Sequence, residues 1–238
     1  MNDNYNKTFW SGRTAQTVVR GGLVAVLAVT ALKIASAQET EQSKKDEITS
    51  SVSSSPVTPD IIKPPDGNSA FLGTHAVGTQ GYVCLPSGSG ASWTVNNARP
   101  QATLFTNAFG LAFQLITHFL SPVENPNDVG PKPPRFGDVT WQSSLDSSRV
   151  WAQPTNAIHA GSDPSCPNTG AIDCLLLQTI GSDQGPTGGA TLTKTTFIQR
   201  LNTKGGSAPA SGCSVFADVG KQTLVPYSAD YFFFRADR

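Results

Sequence analysis

The sequence predicts an all-β protein, an antiparallel β-sandwich or barrel-like sandwich with long loops and stabilising disulfide bonds. Short runs of β-branched and aromatic residues recur along the chain and are separated by clusters of Gly, Pro, Ser and Asn. Only 14% of the residues are charged, and no long stretch has a clear helical period. Two β-rich runs in the C-terminal third flank a loop of Gly, Pro and Ser. We expect the sheet to be built on that last pair of strands.

The amino terminus has the pattern of a secretory signal peptide, which we predict over residues 1–37. Basic residues precede an apolar run of about ten residues at 23–32, and small residues at 35–37 supply a cleavage pattern. A membrane-spanning helix needs roughly 20 apolar residues. A retained amino-terminal anchor is the alternative interpretation. The pattern predicts an exported protein, located in the periplasm or outside the cell.

Two further regions follow the predicted signal peptide. Residues 38–58 are polar and Ser-rich, and they have too little apolar surface to offset chain entropy, so we predict a disordered linker. Residues 59–238 suffice for a single β-rich domain with its own core. This region has eleven Lys and Arg against twelve Asp and Glu, without a basic stripe, which argues against nucleic-acid binding. No apolar run in it reaches membrane-spanning length, so we expect no membrane span in the mature protein.

Strand candidates in the first half of the domain are bounded by turn residues. The first, 76–84, stops at a Pro-Ser-Gly-Ser-Gly cluster, and the second, 92–95, stops at two asparagines. A third candidate is 102–105. Residues 111–120 fit either a buried strand or a helix, and we favour the strand.

The second half contains the remaining strands. Residues 139–143 and 149–153 resemble the two arms of a hairpin, and 173–180 is apolar enough for a strand buried on both faces. The last two strands occupy the runs that begin at Thr191 and at Val225.

All four cysteines lie in residues 59–238, and an even number in an exported protein indicates disulfide bonds. Three connectivities are open. Pairing Cys166 with Cys174 closes a short loop and leaves Cys84 and Cys213 to tie the two ends of the domain. A four-cysteine zinc site is the rival interpretation, and the lack of a Cys-x-x-Cys pair argues against it. We predict no metal site.

Residues 196–230 resemble a known family. The string Phe-Ile-Gln-Arg-Leu-Asn-Thr-Lys-Gly-Gly-Ser-Ala-Pro at 197–209, followed by Gly-Cys and Val-Pro-Tyr-Ser-Ala-Asp-Tyr-Phe-Phe, is similar to a secreted family known as domain of unknown function 3455. The resemblance extends over most of residues 70–235. Some fungal members of that family are labelled malate dehydrogenase. Further matching motifs are Tyr82-x-Cys84, Thr117-His118-Phe119, Thr140-Trp141 and Leu175-Leu176-Leu177.

The resemblance implies the fold and export, and it supplies no activity or catalytic residues. The chain departs from the family pattern in two places. It has Ile172-Asp173-Cys174 where the family commonly has Ile-Pro-Trp, so the Cys166–Cys174 pair looks like a local addition. It has Asp-Ser-Ser at 146–148 where Asp-Gly-Ser is common, which disfavours a tight turn there.

Two enzyme classes lack their sequence motifs. A nicotinamide enzyme needs Gly-x-Gly-x-x-Gly between a strand and a helix, but the glycines at 88 and 90 are followed by Trp93 at the third position. We therefore predict no cofactor. A serine hydrolase of the Gly-x-Ser-x-Gly type is excluded by the absence of that elbow.

Candidate binding residues come from strand charges, aromatic side chains and one histidine. Arg200 and Asp230 each place a charge on an otherwise apolar strand face, and a buried charge must be paired, so we expect an Arg200–Asp230 bridge. The alternative is that one of them lines a polar pocket. Aromatic residues could stack on flat ligands such as sugar rings. The candidate binding residues are His118, Trp141, Arg200, Asn202, Tyr227 and Asp230.

The sequence favours an exported binding or structural module at the cell envelope or outside the cell, with a small molecule or a glycan as its partner. The alternative is an envelope enzyme or metal-binding protein. Its pocket would be built from loops 121–138 and 155–170 and would use His118 or His159. Convergence of both histidines with a carboxylate would support the alternative, whereas an exposed strip of Trp side chains would support carbohydrate binding.

Overall fold

The computed structural model describes residues 55–121 and 138–238, which form a closed antiparallel β-barrel of eight strands. Each strand pairs with the next along the chain, and β8 pairs with β1 to close the barrel. The all-β antiparallel prediction is confirmed, in its barrel-like form. The strands are β1 (Asn68–Ser87), β2 (Gly90–Ala108), β3 (Leu111–Ser121), β4 (Asp138–Ser143), β5 (Arg149–Ile158), β6 (Cys174–Asp183), β7 (Phe197–Gly205) and β8 (Gln222–Ala236).

Most predicted strands are found at the expected places, with longer bounds in several cases, but the run predicted to begin at Thr191 is a strand only from Phe197. The candidates 92–95 and 102–105 are parts of the single strand β2. The ambiguous stretch 111–120 is strand β3, and 139–143 pairs with 149–153 as the β4–β5 hairpin. The predicted signal peptide, the linker as far as residue 54 and the loop residues 122–137 lie outside the described residues.

The tight turn between β4 and β5 forms in spite of its departure from the family pattern. Ser147 has a φ of 60°, the left-handed conformation for which glycine is normally used. The carboxylate of Asp146 accepts hydrogen bonds from both the backbone amide and the hydroxyl of Ser148, at 3.0 and 2.7 Å. These bonds hold the turn in place of the missing glycine.

Strand β1 is the longest strand of the described residues, and it pairs with β8 from Asn68 to Val83 and with β2 from His75 to Ser87. It contains glycines where the neighbouring backbone comes close. A Cβ on Gly78 would lie 2.0 Å from the carbonyl oxygen of Gln101 in β2, so no side chain fits there. The pairing of β1 with β2 shifts register between Gln80 and Tyr82, at the end of the barrel where the candidate site lies.

The barrel interior is filled by alternate residues of the strands. In β8 the inward residues are Tyr227, Ala229, Tyr231 and Phe233, and all of them are buried. Their neighbours in the interior include Trp141 of β4. Period-two alternation thus places one set of β8 side chains inside the barrel and leaves the other set on its outer surface.

A second apolar cluster lies on the outer surface of the wall. Phe232 and Phe234 of β8 pack there with Leu201 of β7 and with Ile62. The amino-terminal segment 55–62 is fastened over this cluster by Gln199, whose amide donates 2.6 Å to the carbonyl of Ile62. The side-chain oxygen of Gln199 accepts a 2.6 Å hydrogen bond from Ser55. The segment therefore keeps water from the outward-facing aromatic residues.

Both preferred disulfide pairings are present. Cys84 of β1 bonds Cys213 in the loop before β8, and Cys166 bonds Cys174 at the start of β6. Disulfide bonds persist outside the reducing cytoplasm, so the two bridges fit a non-cytoplasmic protein. The helices of the described ranges are two single-turn 3₁₀-helices, Asp60–Ile62 and Phe216–Asp218, and neither has the length to cross a membrane.

Candidate functional site

A cavity of about 680 Å³ opens at one end of the barrel. Its lining includes Gln80 of β1, Pro154 of β5 and Ser207 after β7. Its inner part reaches His118, Trp141 and Tyr231. The barrel is thus packed at one end and hollow at the other, which is the usual form of a small ligand-holding barrel.

Three aromatic rings form the floor of the cavity. The imidazole of His118 stacks on the indole of Trp141, with ring centroids 4.2 Å apart and an interplanar angle of 16°. The ring of Tyr231 lies 6.0 Å from His118 and 6.2 Å from Trp141. His118 and Trp141 face each other on the paired strands β3 and β4, so strand register brings these rings together.

The orientation of the His118 ring is fixed by one hydrogen bond. Nδ1 lies 3.0 Å from the carbonyl oxygen of Thr140, and because a carbonyl only accepts, Nδ1 carries the proton. Nε2 of the neutral ring is then a bare acceptor, and no protein group among the described residues donates to it. His118 is only 5% exposed, and the exposed part faces the cavity.

Burial keeps His118 neutral. Loss of hydration lowers its pKa to about 4, the bond to the Thr140 carbonyl opposes this, and the positive charge of Arg200 adds to the lowering. At neutral pH the imidazole is therefore uncharged. It can accept a proton or a hydrogen bond at Nε2, but it carries no charge that would attract an anion.

The tyrosine hydroxyl groups of the site are engaged with protein groups. The hydroxyls of Tyr227 and Tyr231 share one hydrogen bond at 3.2 Å, in which either can be the donor, and the hydroxyl of Tyr82 donates 2.7 Å to the carbonyl of Gly206. Burial raises the pKa of Tyr82 and raises the pKa of Tyr227 far above its ordinary range. Both side chains therefore remain protonated at any physiological pH.

Arg200 supplies the cationic group of the cavity. Its Nε and Nη2 donate to the backbone carbonyl of Asp173, at 3.2 and 2.8 Å, which leaves further guanidinium donors unused. Within residues 55–121 and 138–238, no carboxylate forms an ion pair with Arg200. Its positive charge acts to lower the pKa of three side chains, because it disfavours a positive imidazole and favours a negative phenolate. These side chains are His118, Tyr82 and Tyr227.

The expected Arg200–Asp230 bridge does not form, and that prediction is wrong. Arg200 points into the barrel beside Ile198, whereas Asp230 lies on the outer surface. Asp230 instead lies 2.8 Å from Nδ1 of His75 and accepts a 2.8 Å hydrogen bond from the Asn202 amide. The sequence predicts the alternation of both strands correctly, but the two charges face opposite sides of the wall.

The six candidate residues therefore divide into two groups. His118, Trp141 and Arg200 line the cavity, and Tyr227 lies behind Tyr231 as its hydrogen-bond partner. Asn202 and Asp230 are together on the outer surface, away from the cavity. Asn202 has a φ of 50° at a register shift between β7 and β8, so its conformation belongs to a β-bulge.

The second histidine of the alternative hypothesis does not join the first. His159 is exposed and lies 3.1 Å from the carboxylate of Asp173, and it does not line the cavity. Asp173 and Asp138 do line it. The loop 122–137 lies outside the described residues. In the part of the chain that is described, no three His, Cys, Asp or Glu side chains converge on a common metal position.

An exposed strip of tryptophan is also absent from the described residues. Trp141 and Trp151 are buried, and Trp93 is half-buried with its indole nitrogen donating to the carbonyl of Ser211. Aromatic side chains contribute instead to the cavity floor. Stacking of a sugar on a flat Trp surface is therefore not available at these three positions.

Sequence reasoning missed several residues of the cavity. Tyr231 shares the alternation of Tyr227 in β8, so its place on the same face could have been read from that pattern. Tyr82 and Gln80 also alternate along β1. No sequence signal marks the Asp173 carbonyl as the partner of Arg200, because a backbone acceptor is independent of residue type.

Comparison with known proteins identifies one family. A sequence profile described as "Protein of unknown function (DUF3455)" matches residues 65–235, which include the whole cavity and nearly all of the barrel. No curated protein matches the chain, and no solved structure matches it.

Proposed function

The chain belongs to the DUF3455 family of proteins of unknown function, so its function has to be inferred from the cavity. We propose that the protein binds a small organic anion that has an apolar body. The observation that carries the proposal is the half-buried guanidinium of Arg200. It enters a mostly apolar space and, among the described residues, has no carboxylate partner. A cation in such surroundings favours a carboxylate, sulfonate or phosphate group on the ligand.

The remaining wall supports an apolar ligand body. Aliphatic side chains surround the space between the opening and the aromatic floor, and the cavity volume of about 680 Å³ is in the range of small-molecule sites. Burial of the apolar ligand body against these aliphatic side chains would supply the affinity, while Arg200 would select ligands that carry an anionic group. The aliphatic residues are Leu120, Val139, Ile172, Leu175, Leu177 and Ile180.

We further propose that the protein works outside the cytoplasm, at the cell envelope or beyond it. Two disulfide bonds and the signal-peptide pattern of residues 1–37 support this location. Expression of the full chain in a bacterium, followed by mass spectrometry of the product, tests it. We expect a mature amino terminus at Gln38, and retention of the intact chain in the cytoplasm would contradict the proposal.

Titration calorimetry with matched ligands tests the binding function. We expect decanoate and 2-naphthoate to bind, and decanol and 2-naphthalenemethanol to bind at least tenfold more weakly, because only the acids can pair with Arg200. Arg200→Met should weaken acid binding by a similar factor and leave alcohol binding unchanged. Arg200→Lys, which keeps the charge, should retain part of the affinity.

Arg235→Gln is the matched control, because Arg235 is an exposed arginine over Phe71 at the opposite end of the barrel. It should leave binding unchanged. Equal affinity for acids and alcohols, or acid binding that persists in Arg200→Met, would contradict the proposed function. Thermal unfolding of each variant verifies that the barrel is intact.

A second candidate function is an enzyme in which His118 transfers a proton. One observation favours it: the Thr140 carbonyl fixes the tautomer so that the basic nitrogen Nε2 is available at the cavity floor. A low pKa makes His118 a weak base at neutral pH, so the binding function is the better supported of the two. Conversion of a bound acid, detected by mass spectrometry and abolished in His118→Gln, would establish the enzyme.

A further inference from the structure

Besides Arg200, a polar group at the floor of the cavity is Nε2 of His118. Every other polar side-chain group at the floor has a partner in the protein or is shut off from the cavity. The hydroxyls of Tyr227 and Tyr231 share one hydrogen bond, and the indole nitrogen of Trp141 is fully buried. Nε2 is the exception, because Nδ1 is bonded to Thr140 and the ring is held flat against Trp141.

An unpaired buried acceptor costs free energy, and a ligand that donates a hydrogen bond to it recovers that cost. The donor must lie close to the anion that pairs with Arg200. Tyr231 connects the two positions, since it lies directly opposite Arg200 in the β7–β8 pairing and its ring is 6.0 Å from His118. One small molecule can therefore reach both groups.

The charge of Arg200 restricts the chemical nature of the donor. That charge is close enough to His118 to disfavour protonation of the imidazole. It disfavours an ammonium group of the ligand at the same place for the same electrostatic reason. A neutral donor avoids this repulsion, and a hydroxyl group is the smallest neutral donor that fits beside three packed rings.

We propose that the ligand of this cavity is a hydroxy acid, whose anionic group binds Arg200 and whose hydroxyl donates a hydrogen bond to Nε2 of His118. The inference rests on the proposed anion-binding function and names the second group that the site recognises. It also separates the roles of the two residues. Arg200 attracts the anion, and His118 distinguishes a hydroxylated acid from its deoxy counterpart.

Matched triplets of probes test this inference on the disulfide-bonded protein. Each triplet contains a hydroxyalkanoate, its deoxy acid and its methyl ether, with the hydroxyl at position 2, 3 or 10 of a decanoate chain. The methyl ether keeps the oxygen and removes the donor. We expect one hydroxyl position to bind about tenfold more tightly than both partners. The corresponding amino acid, with an ammonium in place of the hydroxyl, should bind more weakly than the hydroxy acid.

His118→Phe keeps a ring on Trp141 and removes the acceptor, so the preference for the hydroxyl should disappear while the deoxy acid still binds. If that variant does not fold, the ¹⁵Nε2 resonance of His118 in the unmodified protein gives the answer, because a hydrogen bond donated to a bare imidazole nitrogen moves its resonance strongly. We expect a large shift with the preferred hydroxy acid and a much smaller one with its methyl ether.

The two levels of proposal fail in different ways. Equal binding of all members of every triplet, with loss of binding in Arg200→Met, overturns the hydroxy-acid inference and leaves anion binding intact. A hydroxyl preference that survives in His118→Phe also overturns the inference, because another residue then recognises the hydroxyl. Absence of binding by every acid overturns both proposals.

Discussion

The backbone conformation of Ser147 lowers the stability of the folded protein. A φ of 60° is unfavourable for any residue with a Cβ, and glycine avoids that penalty. We predict that Ser147→Gly raises the free energy of unfolding by about 0.5–1 kcal/mol, measured by urea denaturation. The gain is limited because glycine also increases the entropy of the unfolded chain.

Ser87→Gly is the control for that substitution. Ser87 is exposed at the end of β1 and is not among the described residues with positive φ. Glycine there should lower stability by about 0.5–1 kcal/mol, because only the entropic effect remains. A loss of stability in Ser147→Gly equal to that of the control would show that the turn conformation carries no strain.

His118 gives the barrel an acid sensitivity of known sign. Its pKa is about 4 in the folded protein, below the ordinary value of 6.5. Between these values the unfolded chain binds a proton that the folded protein does not, so stability falls as the pH decreases from 6.5 to 4. We predict a loss of about 3 kcal/mol from this residue over that window. Denaturation at several pH values measures it.

His118→Gln isolates the contribution, because glutamine does not titrate. The difference in unfolding free energy between the two proteins should change across pH 4–6.5 and be constant above it. Arg200 of β7 and Tyr231 of β8 lie beside the ring. A pH-independent difference would contradict the prediction.

At the scale of elements, a single side chain of β7 makes several hydrogen bonds to the amino-terminal segment 55–62. Gln199 is fully buried and bonds Ser55, Thr58 and the Ile62 carbonyl. We predict that Gln199→Leu lowers the unfolding free energy by about 1–3 kcal/mol, since the Ile62 carbonyl loses its donor. Limited proteolysis should also cleave the segment faster in this variant.

Gln178→Leu is the matched control, because Gln178 is an exposed glutamine on the neighbouring strand β6. It should change stability by no more than about 0.5 kcal/mol and leave the cleavage rate unaltered. Equal cleavage rates in the two variants would mean that Gln199 does not hold the segment.

Strand alternation in the sequence predicted which residues share a face, but it did not determine which face is inside. In β8, both sets are apolar: Tyr231 belongs to the interior, while Phe232 and Phe234 lie outside and are covered by the segment 55–62. An outer face that is covered in this way has the composition of a core. For this reason the sequence predicted a bridge between Arg200 and Asp230, although the two side chains lie on opposite sides of the barrel wall.

Barrel closure is another property that local patterns do not contain. It requires β1 and β8 to pair across more than 130 residues, for example Asn68 with Ala236. The cavity could not be derived for the same reason, since His118, Trp141 and Arg200 come from three strands. The cysteines were the exception, because the short separation of Cys166 and Cys174 constrained both pairings.

For the whole molecule, the two disulfide bonds should contribute unequally to stability. The Cys84–Cys213 bridge spans 129 residues and the Cys166–Cys174 bridge spans 8. In the loop-entropy description, removal of the long bridge costs about 5 kcal/mol and removal of the short one about 2.5 kcal/mol. We predict this order for the paired Cys→Ala variants in denaturation experiments.

Measurement of the same variants under reducing conditions provides the control, since the difference between them should shrink once both bridges are open in every protein. A larger loss from the Cys166/Cys174 pair would contradict the prediction. It would indicate that local packing of the loop outweighs the restriction of the unfolded chain.

The start of β1 and the end of β8 lie next to each other, far from the cavity. The amide of Asp237 donates a 2.8 Å hydrogen bond to the carbonyl of Gly67, where β1 begins and β8 ends. The cavity opens at the other end of these strands. A surface or a fluorescent reporter attached beside Asp237 should therefore leave the opening free, so immobilised protein can be used to test the proposed binding of acids.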